Sequence, residues 1–191
     1  MSVVISELLG EPIEKYSPIS GGDISTAFLL YTANNRFFLK TKRGENALKM
    51  FETERLGLDA IACTNSVRAP RVYFAKQVGV EAFLLMEYIE SKKPGPKDFK
   101  RFGAQLAELH KNTSCEFGWE QDNFIGSLPQ SNSKNENWPE FYASERLLPQ
   151  LKFARSKALL SPSEAPDLEK LCAFLKNLLP DEPPSLLHGD L

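Results

Sequence analysis

The chain has 191 residues, 42% hydrophobic and 25% charged, with a formal net charge of -2 and 13 Phe. Those values suit a folded domain or two small lobes, argue against disorder, and leave no global basic field for nucleic acid. No apolar run approaches the ~20 residues that span a bilayer. The stretch Met1-Ser2-Val3-Val4-Ile5-Ser6-Glu7 lacks the basic segment of a secretory signal. Cys63, Cys115 and Cys172 are odd in number, far apart and without metal-ligand spacing. A cytoplasmic protein with free thiols, and with neither a nucleic-acid nor a membrane partner, is the expectation.

The first half reads as strands around one helix. Tyr16–Ile19 leads through Ser20-Gly21-Gly22-Asp23-Ile24-Ser25 into Ala27–Tyr31, which is strand, glycine turn, strand. Asn34-Asn35 marks a turn, and Arg36–Thr41 a third strand. From Glu45 to Ala62, Ala47, Phe51, Leu58 and Ile61 recur at helical spacing. Glu54 lies in the middle of that apolar stripe, and an inward carboxylate needs a cation partner. Lys40, at the end of a strand rich in Phe and Leu, is the candidate. Two more strands follow, Arg71–Gln77 and Glu81–Tyr88, joined by Val78-Gly79-Val80.

A glycine turn, a Lys on the third strand and a Glu on the following helix reproduce the plan of a kinase amino-terminal lobe. There the Lys holds the nucleotide phosphates and the Glu holds the Lys. Glycines let backbone N–H groups approach phosphate without an intervening Cβ. Taken singly, Gly21-Gly22 is an ordinary hairpin turn and Lys40 a snorkelling strand end; the order of the three carries the reading. Met86-Glu87-Tyr88-Ile89 takes the place of the hinge, where the Glu87 carbonyl and the Ile89 N–H would read an adenine. The candidate nucleotide-binding residues are Gly21, Gly22, Asp23, Ile24, Ser25, Lys40, Glu54, Glu87, Tyr88 and Ile89. Ser91–Pro96 reads as a lobe boundary, which divides the chain into 1–89 and 90–191.

The second half reads as helices. Lys97–Lys111 would turn Phe99, Phe102, Leu106 and Leu109 inward, with His110 a structural residue closing that face. The stretch 117–132 is aromatic, polar and without helix or strand periodicity. Two readings stand open for it: an ordered functional loop, or a packed connector in which Asx turns satisfy Asp122 and Asn123. Asn137–Ala158 predicts a long helix bent or broken near Pro149. Ser161-Pro162-Ser163-Glu164 predicts a helix start that buries Leu168, Leu171, Leu175 and Leu178 or Leu179 before Pro180. The chain closes on Leu186-Leu187-His188-Gly189-Asp190-Leu191, an apolar pair running into a His-Gly-Asp. In kinase-like phosphotransferases such a tripeptide opens the catalytic loop, and its Asp is the base that orients the acceptor hydroxyl.

These residues resemble the fructosamine kinase (ketosamine-3-kinase) family, within the aminoglycoside and choline kinase-like superfamily. The superfamily marks are Phe38-Leu39-Lys40, Glu54, the hinge, Leu106-Ala107-Glu108-Leu109-His110 and Leu187-His188-Gly189-Asp190-Leu191. More specific are Phe117-Gly118, Asp122-Asn123-Phe124-Ile125-Gly126, Pro129-Gln130, Trp138, Phe141-Tyr142 and Arg146. The resemblance implies an α+β, protein kinase-like two-lobe fold, with an antiparallel-sheet N-lobe carrying one helix and a mostly helical, truncated C-lobe. It implies ATP-dependent phosphorylation of the 3-hydroxyl of a small-molecule or protein-bound ketosamine, a deglycation activity. Asp190 would then be the catalytic base and Lys40 the phosphate clamp.

Family members continue past the His-Gly-Asp-Leu with an Asn and an Asp that hold Mg²⁺, so those ligands are expected beyond residue 191. The 191-residue chain alone is therefore expected to be inactive, with apolar surface left uncovered. Some members also carry a Cys in the glycine turn; Asp23 stands here instead, and that redox switch is not expected. The competing readings are an aminoglycoside-type small-molecule kinase and a non-catalytic nucleotide-binding fragment.

Overall fold

A computed structural model describes residues 2–19, 24–161, 164, 167–179 and 182–189. The chain divides into two compact units, Met1–Ala107 and Glu108–Leu191. The sequence places the boundary earlier, at residues 89 and 90; in the structure the linker and most of the next helix group with the first unit.

The first unit is built on a five-stranded antiparallel sheet. Its strands are β1 (Lys15–Ile19), β2 (Thr26–Tyr31), β3 (Arg36–Arg43), β4 (Val72–Val78) and β5 (Glu81–Glu87), in the order β1-β2-β3-β5-β4. Hairpins join β1 to β2 and β2 to β3, and β5 inserts between β3 and β4. The register sets Lys40 opposite Ala27 on one side and Leu84 on the other.

Alternation along β3 and β5 gives the sheet two buried faces. Leu30, Phe37, Leu39, Phe83 and Leu85 pack with Ile5 on one face. Ala82, Leu84 and Met86 pack with Ala47 and Phe51 on the other. The second face is covered by α2 (Ala47–Cys63), the helix expected from its apolar stripe. The first is covered by α1 (Ser2–Leu9), a helix for which the sequence reading made no provision. Ile5 is fully buried beneath the sheet, and the Ser6 hydroxyl accepts the Ile13 N–H at 3.0 Å, which fixes the chain's turn into β1. Eight residues are too few to stand as a helix alone, so α1 depends on this docking.

Helix α3 (Pro96–His110) begins where Pro sits at its first position and the Asp98 carboxylate accepts the Gly95 N–H at 2.9 Å. The expectation that Phe99 and Phe102 turn inward is overturned: they are 64% and 40% exposed, and only Leu109 of the four is buried.

In the second unit the expected loop holds a small hairpin, β6 (Asn123–Ile125) with β7 (Leu128–Gln130). The expected long helix is in three pieces: α4 (Trp138–Tyr142), a π-helical turn (Ala143–Leu147) and α5 (Leu148–Ser156). The irregularity sits one turn ahead of Pro149, which has no N–H to return to the preceding turn. Asn137 caps α4, its side chain accepting the Glu140 N–H at 3.1 Å.

Helix α6 (Leu168–Leu178) starts later than expected. Ser161 and Glu164 do bond reciprocally, but as a closed turn: the Glu164 N–H donates to the Ser161 carbonyl and the Ser161 N–H to the Glu164 carboxylate. The Lys170 N–H instead reaches Asp167, which takes the cap. Leu175 is buried, whereas Leu178 is 59% exposed and Leu179 takes the inward place. Between α5 and α6 lies a cavity of about 500 Å³ lined by apolar side chains including Leu128, Leu151 and Leu171. No helix among the described residues is long and apolar enough to cross a membrane.

Candidate nucleotide site

Lys40 and Glu54 meet. The Lys40 Nζ donates to Glu54 Oε1 at 2.6 Å, with each side chain about a third exposed (28% and 33%). Strand pairing holds the Lys, and the packing of Phe51 and Ala47 onto the sheet presents the Glu from α2. So exposed a pair adds little to stability. Its consequence is positional: a lysine amine is held at one place on the face shared with α2, with Glu54 as its one side-chain partner among the described residues.

The residue entering β2 is tied to the same strand. Lys42, two residues after Lys40 and on the same face, donates to the Ile24 carbonyl at 2.7 Å. Ser25 is half-buried beside it. Gly21, Gly22 and Asp23 lie outside the described residues, as does Asp190.

The hinge candidates follow β5. The Glu87 N–H donates to the Arg71 carbonyl at 2.8 Å. Its carboxylate accepts the Arg71 N–H at 3.3 Å and pairs with the Arg68 guanidinium. The Arg71 hydrogen bond, aided by Arg68 and opposed by burial, holds the Glu87 carboxyl below its ordinary value. The Tyr88 ring lies under the Arg36 guanidinium at 5.2 Å, and Ile89 is 41% exposed. None of Arg36, Arg68, Arg71 or Lys42 was singled out by sequence reasoning. An Arg sixteen or nineteen residues from its Glu has no periodic signature; only the pairing of β4 with β5 brings them together.

In the second unit Asp122 and Asn123, in the stretch 117–132, are satisfied by a distant residue, Asn132, and not by Asx turns. The buried Asn132 organises the stretch. Its amide donates to the Gln121 carbonyl and to the Asn123 side chain, its N–H donates to Asp122, and its side-chain oxygen accepts from Arg146 at 2.6 Å. Gln130 also donates to Asn123. Arg146 reaches the Ser131 carbonyl at 2.6 Å and stacks over Phe141 at 4.7 Å.

The segment leading to His188 is zipped to the end of α3. The Leu186 N–H donates to the Asn112 carbonyl and the Ser114 N–H to the Pro184 carbonyl, around a bridge between Thr113 and Ser185. Asn112 meanwhile donates its side chain to the last carbonyls of α3. His110 is the final, half-buried residue of that helix.

The model of the fructosamine kinase family matches residues 1–191. This chain belongs to the fructosamine kinase family. It is 35% identical over 190 residues to a Synechocystis protein named as a probable ketoamine kinase, a match covering 98% of this chain and 63% of that protein. It is 34% identical over 194 residues to the chloroplastic protein-ribulosamine 3-kinase of Arabidopsis thaliana, covering 98% and 58%. The crystal structure of a candidate fructosamine-3-kinase from Thermobifida fusca matches with a TM-score of 0.81 at 29% identity, over 100% of this chain and 66% of that one. A second, from Haemophilus somnus, also gives 0.81, at 24% identity, over 96% and 62%. The fold is therefore the α+β, protein kinase-like fold of fructosamine kinases. The chain spans less than two thirds of the length of the curated relatives it matches.

Proposed function

We propose that the protein is an ATP-dependent kinase of ketosamines, phosphorylating the 3-hydroxyl of fructosamine or ribulosamine groups on glycated amines. The observation that carries this is the 2.6 Å contact between Lys40 and Glu54, reached from a strand and a helix as a phosphate clamp requires. Family membership supports the substrate class, because relatives bear the names ketoamine kinase and ribulosamine 3-kinase.

Lys40 neutralises nucleotide phosphate while Glu54 keeps its amine in place. The glycine turn at 20–23 supplies N–H groups to the phosphates, with Ile24 and Ser25 at its exit. The backbone of Glu87–Ile89 reads the base. Asp190 takes the proton of the sugar hydroxyl as its oxygen bonds to the γ-phosphorus and the bond to ADP breaks. The 3-phosphate ester is a better leaving group than the hydroxyl was; β-elimination releases inorganic phosphate, and addition of water to the resulting enamine releases the amine. Mg²⁺ would add charge neutralisation on the triphosphate. No group of three or more His, Cys, Asp or Glu is placed to hold an ion among the described residues, and a nucleotide Mg²⁺ takes most of its other ligands from the phosphates and water. Three free cysteines support a cytoplasmic setting.

The test is phosphorus NMR of the full-length protein with ATP, Mg²⁺ and fructoselysine. A new phosphomonoester signal with ADP release is expected. Lys40→Met should lower kcat/KM by about a hundredfold or more. Turnover of aminoglycosides without turnover of fructoselysine would sink the proposal.

A further inference from the structure

The segment leaving β5 is held from both sides by arginines. On one side, Glu87 and Arg71 exchange two hydrogen bonds: main-chain N–H to carbonyl at 2.8 Å, and Arg71 N–H back to the Glu87 carboxylate at 3.3 Å. Arg68 closes the same carboxylate as an ion pair. The β4–β5 register shifts between Val72 and Phe74, and the residue at the shift, Tyr73, fixes Arg71 in turn. The Tyr73 ring meets Phe37 edge-on at 5.1 Å and lies under the Arg71 guanidinium at 5.2 Å. On the other side, Arg36 at the start of β3 stacks over Tyr88 at 5.2 Å and pairs with Glu90 at 3.5 Å. Strands β3 and β4 are the two neighbours of β5, so the braces come from opposite edges of one strand.

Ion pairs as exposed as these contribute little to folding, since Arg68 is 70% and Glu90 71% exposed at the side chain. What they do is order four residues in advance. A base read by two backbone groups needs those groups at one separation and direction, and a segment ordered beforehand loses less freedom on binding.

We infer that Arg68, Arg71 and Arg36 are positioning residues that set the Glu87–Glu90 backbone for the adenine base of a nucleotide, separately from the phosphate clamp at Lys40. The inference rests on the nucleotide reading above and extends it to three residues that touch no ligand. It separates base from phosphate, and the probes can be separated likewise.

Adenosine and inorganic tripolyphosphate are titrated calorimetrically into the full-length protein, one at a time. Arg68→Ala should weaken adenosine about fivefold to tenfold, the loss of one charge-assisted bond, and leave tripolyphosphate affinity and Tm unchanged. Glu87→Gln, which keeps an acceptor for the Arg71 N–H, should fall between that variant and wild type. Lys40→Met should show the reverse pattern, losing tripolyphosphate and keeping adenosine. An unchanged adenosine affinity in Arg68→Ala overturns the brace. So does a parallel loss of both probes with a lower Tm, which marks a purely structural role. Wild-type protein that binds tripolyphosphate but not adenosine overturns the brace alone; binding of neither overturns the nucleotide reading and the brace with it.

Discussion

In Met1–Ala107 the backbone polar groups are paired largely by strand ladders and helices, and side chains are left to fill two apolar layers on the faces of the sheet. In Glu108–Leu191 the ladders are three residues long, and the irregular backbone is satisfied by side chains. Asn132, Asp122, Arg146, Asn112 and Asn137 each take at least one main-chain group. Every buried backbone group needs a partner, so the second unit uses polar side chains where the first uses strand and helix pairing. A substitution in the first unit therefore removes packing, while one in the second strands a backbone group.

Substitutions that separate those two modes can be ranked by expected size. The largest effect belongs to Gly118, whose φ is +110° and whose added Cβ would lie 2.6 Å from the Asn132 carbonyl oxygen and 2.9 Å from that of Ser133. Gly118→Ala should cost about 4 kcal/mol or more, which is much of a domain's stability. Urea unfolding that shows less than half of that would mean the connector yields easily. Next is Leu39→Ala, a fully buried side chain under the sheet, with an expected loss of about 3 kcal/mol. Leu39→Met should recover most of it, because packing tolerates a swap of similar volume.

Asn132→Ala should cost about 2 kcal/mol, since it leaves the Gln121 carbonyl and Arg146 short of a partner. Here Asn132→Leu should recover nothing, and equal rescue at the two sites would collapse the contrast.

The smallest effect is pH-linked. Burial raises the Glu145 carboxyl, but hydrogen bonds from Ser131, Ser133 and Ser144 outweigh it, and the net shift is downward. A carboxyl lowered in the folded state adds stability above its ordinary value and loses it as pH falls through the folded value. The urea midpoint of wild type should thus drop more than that of Glu145→Gln between about pH 6 and pH 3. Parallel slopes would show that Glu145 contributes nothing.

Much of the first unit was legible in the sequence. The five strands, α2 and the Lys40–Glu54 pair follow from period-two alternation, a helical stripe and one carboxylate out of place on it. Helix α1 was not legible: Val3, Val4, Ile5, Leu8 and Leu9 are an apolar cluster too short to favour helix over strand, and the exposed face of the sheet decided between them. The exposure of Phe99 and Phe102 also ran against the periodicity, because a stripe tells which residues share a face, not what that face meets. In the second unit Pro149 signalled a break, and the break takes the form of a π-helical turn directly ahead of it, a form that spacing alone does not specify.

By itself, the sequence determined what is local. Spacing, glycine and proline set the elements, and the types and order of Gly21-Gly22, Lys40, Glu54 and His188-Gly189-Asp190 carry the resemblance to the family. Tertiary structure alone decided which distant polar groups meet: Arg68 with Glu87, Arg36 with Tyr88, Asn132 with Arg146. The reason is that a hydrogen bond or ion pair has no preference along the chain. It forms where strand register and helix docking put donor and acceptor within about 3 Å, and neither is written in any single window of residues.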